Sequence, residues 1–198
     1  MEIPARKLPL AANLKNRRQA LNLSLETLAQ RSGVSRAMIS DIERELKNPS
    51  IAIVSQIAEG LDCSISELLG EADTTRHRAL QVLRRDEQQL MVDPHSGLER
   101  RLLSGVLLGR GIEVVEYIIP AGQTTGQFPA HQRGTVEHIT VVEGKLACYL
   151  GENTEPVELN TGDTIYFPAD MGHRFHNPGQ IPCRYILIID TTQVQTVR

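Results

Sequence analysis

Four side chains in the C-terminal half of the sequence could do chemistry together: His131, Arg133, Glu137 and His173. The first three share sequence parity, so on an extended chain they would point to one face, and His173 would come from a neighbouring strand. Imidazole and carboxylate groups bind divalent metal ions, whereas a guanidinium group pairs with carboxylates. The pattern therefore indicates a site for a metal ion, for an anionic ligand or for both.

The elements that must position these side chains are short apolar runs separated by turn residues. The runs cover residues 112–119, 136–142, 145–150, 164–167 and 184–190. Many short strands at regular spacing favour a β-sandwich or a β-barrel. The run A-L-Q-V-L-R-R at residues 79–85 fits either a first strand or a short helix.

Two segments resemble the sequence motifs of the cupin family, over about residues 79–192. The first motif, G-x5-H-x-H-x(3,4)-E-x6-G, is matched in part, because Arg133 stands where the second histidine belongs. The second motif, G-x5-P-x-G-x2-H-x3-N, is matched from Gly162 to Asn177, with Asp170 replacing the middle glycine. The resemblance implies a cupin β-barrel (a double-stranded β-helix) that binds a small molecule or a metal.

In cupins these motifs hold a divalent metal, so the resemblance implies His131, Glu137 and His173 as its ligands. Arginine cannot be a ligand, and two histidines with one carboxylate suit Zn, Fe, Mn or Ni with open coordination positions. Arg133 would then bind the carboxylate of an effector, for example an amino acid that chelates the metal. An empty barrel is the alternative, in which His131 and Arg133 would bind an anionic effector directly.

The N-terminal half has helical periodicity and clear helix starts. Helices are predicted over about residues 9–21, 25–31, 36–44 and 51–61, with a short fifth helix after Ser64. Ser24 and Ser35 are good N-caps, and Gly33 permits a tight turn between the second and third helices. Ser64 and Glu67 have the spacing of a capping box.

The segment from Leu25 to Arg44, L-x-x-L-A-x-x-x-G-V-S-x-x-x-I-S-x-I-E-R, resembles the helix-turn-helix of the Cro and phage-repressor (XRE) family, over about residues 8–70. In that family the third helix enters the major groove of DNA. The resemblance implies DNA contacts by Ser24, Gln30, Ser35, Arg36, Ala37, Ser40 and Arg44.

The third helix is predicted to pack Ile39 and Ile42 inward and to direct Arg36 and Glu43 outward. Arg36 has the chemistry for bidentate recognition of guanine. A merely solvated helix face is the alternative interpretation, and the complete five-helix pattern favours DNA binding.

The charge, the cysteines and the apolar runs of the sequence limit the class of protein. Residues 71–78 are polar and are predicted to link a helix-turn-helix domain at 8–70 to a cupin domain at 79–192. The net charge of -3 does not itself indicate nucleic-acid binding, although basic side chains slightly outnumber acidic ones before residue 71. Three scattered cysteines without a C-x-x-C pair argue against a secreted disulfide framework. The sequence also has no apolar run long enough to span a membrane, and the two observations together predict a cytoplasmic protein.

These observations predict an α domain followed by an all-β domain in a DNA-binding transcription regulator. A homodimer reading a two-fold operator is expected, with a small anionic effector sensed in the cupin domain and no catalytic residue. One alternative is a metal-dependent enzyme like hydroxypropylphosphonate epoxidase, which shares this domain order. Another is a DNA-binding protein whose cupin domain serves only for dimerisation.

Overall fold

The computed structural model describes residues 9–70 and 82–194. All five predicted helices form in the first range: α1 (Leu10–Ala20), α2 (Leu25–Ser32), α3 (Arg36–Glu43), α4 (Ile51–Gly60) and α5 (Ile65–Leu68). The predicted linker at 71–78 lies outside the described residues, as do residues 79–81. Residues 82–84 are neither helix nor strand, and a turn follows them.

Serine side chains start four of the five helices. Ser24, Ser35, Ser50 and Ser64 each accept a hydrogen bond from the backbone N–H three residues further along the chain. The Glu67 carboxylate accepts the Ser64 N–H at 2.8 Å, which completes the predicted capping box. Gly33 ends α2 with a φ of 69°, a left-handed conformation that is cheap only for glycine. The turn between α2 and α3 follows from these local preferences.

The second described range is built of antiparallel strands. They are β1 (Leu90–Val92), β2 (Glu99–Leu102), β3 (Ile112–Ile119), β4 (Val136–Glu143), β5 (Lys145–Leu150), β6 (Val157–Asn160), β7 (Thr164–Pro168), β8 (His173–His176) and β9 (Cys183–Asp190). The five predicted runs all form strands. The run E-R-R-L of β2 was missed because its charges are typical of a surface loop.

Two sheets face each other in this range. One has the order β1-β2-β3-β9-β4-β7 and the other the order β6-β5-β8. Aromatic rings from both sheets meet between them, as with Phe175 on β8 and Tyr185 on β9, whose centroids lie 5.8 Å apart. Burial of such large rings is a main source of stability in a core of this kind.

Helices α4 and α5 make polar contacts with the strand-rich range. The Ile51 N–H at the start of α4 donates to Asp93 Oδ2 at 3.2 Å, and Gln89 Nε2 donates to the Ser66 carbonyl of α5 at 3.2 Å. The Ser66 hydroxyl also donates to Glu113 on β3. Among the helices described, none has the length and apolar character needed to cross a membrane.

Candidate metal centre and nucleic-acid interface

The three predicted metal ligands come together. His131 lies in the loop before β4, Glu137 on β4 and His173 at the start of β8. Glu137 Oε1 lies 3.2 Å from His131 Nε2 and 3.5 Å from His173 Nε2, and one ligand atom from each residue lies within 4.8 Å of the others. Glu137 Oε2 is buried and has no hydrogen-bond partner among the described residues. The donor set and this free oxygen both fit a divalent cation.

The Nδ1 atom of each histidine, which points away from Glu137, lies within hydrogen-bonding distance of an oxygen atom. His173 Nδ1 lies 3.0 Å from the Met171 carbonyl oxygen, and His131 Nδ1 lies 3.5 Å from Glu59 Oε2 on helix α4. With a proton on each Nδ1 donated outward, both Nε2 atoms would be free to bind a metal ion that also contacts Glu137. Outer oxygen partners of this kind orient metal-binding histidines.

Electrostatics favour the ion pair between His131 and Glu137. Burial by itself would lower the pKa of His131, but hydrogen bonds to Glu137 and Glu59 outweigh burial and raise this pKa to about 9. Burial by itself would raise the pKa of Glu137, but hydrogen bonds from His131 and His173 outweigh it and lower this pKa to about 2. A metal ion that binds His131 Nε2 must therefore displace a proton.

A cavity of about 370 Å³ contains these three residues, and we call it the metal pocket. Helices α4 and α5 and the segment between them supply part of its wall, including Ser55, Glu59, Asp62, Cys63 and Glu67. The strand-rich part supplies the rest, including Arg100, Glu113, Tyr117, Phe128 and Phe175. The pocket therefore lies at the contact between the helical part and the strand-rich part.

Arg133 does not lie beside the ligands. It is exposed on a turn at which the Thr135 N–H donates to the Gln132 carbonyl at 3.0 Å and Gly134 has a φ of 97°. The predicted direction of the Arg133 side chain is wrong, because the chain turns between His131 and Glu137 and is not extended there. Arg133 is absent from the described pocket walls.

A different arginine, Arg100, lines the metal pocket. Its Nη2 lies 2.7 Å from Glu113 Oε1, and both side chains are buried. No sequence signal pointed to this pair, because a charged run such as E-R-R-L does not indicate burial. Pairing of β2 with β3, with Arg100 opposite Tyr117, places the guanidinium inside. Glu59 was not predicted either, because its partner, His131, lies in the other domain.

The predicted DNA contacts lie on the outside of α2 and α3. Ser24, Gln30, Ser35, Arg36, Ala37 and Arg44 are exposed and Ser40 is half-buried; together we call these seven residues the α2–α3 surface. Arg36 forms no ion pair with any residue that the structure describes, whereas Arg44 Nη2 donates to Asp41 Oδ1 at 2.8 Å. A free guanidinium on this face is available to a phosphate or a base edge.

The prediction that Glu43 points outward is wrong. Its two carboxylate oxygens accept hydrogen bonds from Arg18 Nε at 2.7 Å and from Arg18 Nη2 at 2.9 Å, and its side chain is only 8% exposed. Such bidentate pairs are strong and directional. The pair joins α3 to α1 and so fixes how α3 is presented, while Ile39 and Ile42 face the core as predicted.

Comparison with known proteins identifies both parts of the chain. A helix-turn-helix family model matches residues 14–68, and a cupin domain model matches residues 115–189. The HTH-type transcriptional regulator SutR of Escherichia coli (strain K12) is 30% identical over 179 residues, which cover 86% of this chain and 88% of SutR.

Solved structures agree with this assignment. The crystal structure of an HTH_3 family transcriptional regulator from Vibrio cholerae superimposes with a TM-score of 0.75 at 28% identity, over 93% of this chain and 96% of that one. A crystal structure of FeII HppE superimposes with a TM-score of 0.50 at 18% identity, over 92% of this chain and 98% of that one, and this likeness shows the fold alone.

The relatives decide between the regulator and the enzyme. SutR covers nearly the whole chain and is a named transcriptional regulator, which supports the regulator rather than the epoxidase-type alternative. The two family models reproduce the predicted order of an α domain and then an all-β domain. The chain therefore belongs to the HTH-type transcriptional regulators, with a DNA-binding helix-turn-helix domain followed by a cupin domain.

Proposed function

We propose that this regulator senses a small-molecule effector through a divalent metal held by His131, Glu137 and His173. The observation that carries the proposal is the position of these ligands in a pocket walled partly by α4 and α5 of the DNA-binding domain. Two histidines and one carboxylate leave coordination positions open for an exchangeable ligand. When bound, the metal would supply those open positions, and the pocket residues would select what reaches them.

The effector that we propose is small and anionic, with a carboxylate as in an amino acid. The pocket is of the size that encloses a small metabolite. Its walls are acidic, with five carboxylates (Glu59, Asp62, Glu67, Glu113 and Glu137) against the single guanidinium of Arg100. A divalent cation would make the inner end of the pocket positive, so we expect an anion to bind the metal-loaded protein and not the metal-free one.

Contacts across the domain boundary support a coupling between the pocket and DNA. His131 lies between Glu137 of the cupin domain, at 3.2 Å, and Glu59 of α4, at 3.5 Å. A metal that replaces the proton between His131 and Glu137 changes the charge that Glu59 faces. The coupling needs only about 1–3 kcal/mol to change operator affinity 5- to 150-fold.

DNA recognition is proposed to use the α2–α3 surface of a homodimer on a two-fold operator. One helix-turn-helix unit reaches few base pairs, so two units are expected to read two half-sites about one helical turn apart. Arg36 is the proposed base-contacting residue, and Arg44 is proposed to contact the DNA backbone.

The test is a titration of operator affinity. Full-length protein selects its operator from a random-sequence DNA pool, and the Kd is then measured with Zn, Fe, Mn or Ni and with a set of amino acids. We expect one metal, or one metal with one amino acid, to change the Kd at least fivefold. His173→Ala should abolish this response, whereas His138→Ala, which changes an exposed histidine outside the pocket, should keep it. A Kd that responds to none of these additions contradicts sensing and leaves DNA binding intact.

A further inference from the structure

We infer that Arg100 is a second anchoring point of the effector site and binds an oxyanion at the opposite end of the ligand from the metal. The inference rests on the proposed metal-dependent sensing and names the part of the pocket that would choose the effector. The ligand class is a small acid with a metal-chelating amino-carboxylate end and a distal carboxylate.

Arg100 has hydrogen-bond donors to spare although it is buried. Its side chain is 1% exposed, and its Nη2 alone serves Glu113 Oε1 at 2.7 Å and Ser66 Oγ at 3.1 Å. Nε and Nη1 are buried and have no hydrogen-bond partner among the described residues. The Tyr117 hydroxyl is close enough to the guanidinium to interact with it through charge and hydrogen bonding, but no contact with Nε or Nη1 meets normal hydrogen-bond geometry. Buried donors without acceptors are rare in proteins and call for an explanation such as an absent ligand.

The strand register places Arg100 at some distance from the metal ligands, so the effector needs two separate acidic ends. Ile189 on β9 pairs with Glu113 on β3 and also with Glu137 on β4, so the two buried carboxylates lie in one row on either side of β9. Two strand spacings separate their backbones by about 10 Å. Arg100 is hydrogen-bonded to Glu113 and therefore lies at the far end of this row from the metal ligands.

Unused hydrogen-bond donors, and not net charge, favour an anion over a cation at this end. Glu113 already neutralises Arg100, so an incoming carboxylate meets unused N–H donors without meeting an unpaired negative charge. A cationic group would find no free acceptor on Arg100. The Ser66 hydroxyl of α5 donates to the Glu113 carboxylate and accepts from the Arg100 guanidinium. A ligand bound to Arg100 would therefore also affect contacts made by the DNA-binding domain.

The test uses full-length protein loaded with Co²⁺, whose visible bands report coordination at the metal. The protein is titrated with L-aspartate, L-glutamate and L-2-aminoadipate, and with L-norvaline, which has the same chelating end and no distal carboxylate. We expect one of the three acids to bind about 10- to 100-fold more tightly than norvaline. Arg100→Lys keeps the charge but removes the Nε and Nη1 donors, and it should abolish this preference. Arg133→Lys changes an exposed arginine and should retain it.

A second measurement needs no folded variant. In wild-type protein loaded with diamagnetic Zn²⁺, the NMR signal of the Arg100 Nε–H should shift on addition of the preferred acid and stay in place with norvaline. The Co²⁺ bands and the thermal transition of Arg100→Lys, recorded before any acid is added, report whether that variant is folded. If it is unfolded, the shift in the wild-type protein decides.

The outcomes separate the inference from the proposed function. Equal affinity of wild-type protein for all four ligands overturns the inference, as does an undiminished preference in folded Arg100→Lys. If neither Co²⁺ nor Zn, Fe, Mn or Ni binds, both the inference and the metal-dependent sensing are wrong. If Co²⁺ binds and changes operator affinity, but the acids bind no more tightly than norvaline or bind folded Arg100→Lys with the same preference, the proposed function stands and only the inference is wrong.

Discussion

The α2–α3 surface and the metal pocket are built in opposite ways. The α2–α3 surface comes from one continuous stretch of about twenty residues, in which serine N-caps and the Gly33 turn set the geometry locally. The metal pocket takes its walls from segments that are more than a hundred residues apart in the chain, such as α4 and β8. A local surface tolerates change elsewhere in the molecule, whereas a pocket between two domains depends on how both of them pack.

The largest expected effect is the loss of metal binding on removal of the central ligand. Glu137→Gln keeps the shape of the side chain but removes the charge between the two histidines, so metal affinity should fall more than about 100-fold. Isothermal titration with Zn²⁺ measures this fall, and metal-free operator binding should be unaffected because the α2–α3 surface is separate. A variant that retains wild-type metal affinity would show that the site is not a metal centre.

The next effect concerns the α2–α3 surface alone. Arg36→Ala should weaken operator binding by about 1–3 kcal/mol and relax the preference at one base position. Arg44→Ala should weaken binding to all sequences alike and reduce the salt dependence by about one counterion. Gel-shift titrations over a range of salt concentrations distinguish the two. Equal loss at every base position in both variants would place Arg36 on the DNA backbone.

A smaller effect is expected on metal affinity in the cupin domain when a residue of the DNA-binding domain is changed. Glu59→Gln in α4 removes the charge that faces His131 Nδ1, and metal affinity of the cupin site should fall about tenfold. Asp62→Asn is the matched control, because Asp62 also lines the pocket but its side chain is 64% exposed. Zn²⁺ titration of both variants provides the measurement. An affinity loss in Asp62→Asn as large as in Glu59→Gln would indicate a general charge effect of the pocket wall.

The smallest effect is a pH dependence of stability. The pKa of His131 is raised to about 9, so the folded protein holds a proton that the unfolded chain releases near pH 6.5. This stabilisation is present below pH 6.5 and is lost as the pH rises to 9, at about 1 kcal/mol between pH 7 and pH 8. Urea unfolding in EDTA measures the slope, and His131→Gln should reduce it. Equal slopes in wild-type protein and variant would mean that His131 is not the group that titrates.

Prediction from sequence succeeded where the deciding interactions lie within a few residues of one another. The capping box of Ser64 and Glu67 and the strand run at 112–119 formed as expected, since caps and periodicity act over short distances. Prediction failed for Arg133, because the chain turns at Gly134 before β4. Odd and even positions therefore do not alternate between two faces there, and the direction of the Arg133 side chain cannot be read from its number. It failed for Glu43 as well, because the partner that buries it, Arg18, lies 25 positions away.

The sequence by itself determined the two domains, their order, the residues that lie on the α2–α3 surface and three of the side chains that cluster in the metal pocket. Each of these follows from local propensity or from motif spacing. Only the tertiary structure decided that Arg100 and not Arg133 lines the metal pocket, and that Glu59 of the DNA-binding domain lies beside a histidine of the cupin domain. Strand pairing and domain packing bring such groups together across long stretches of chain, and neither leaves a pattern that neighbouring residues can reveal.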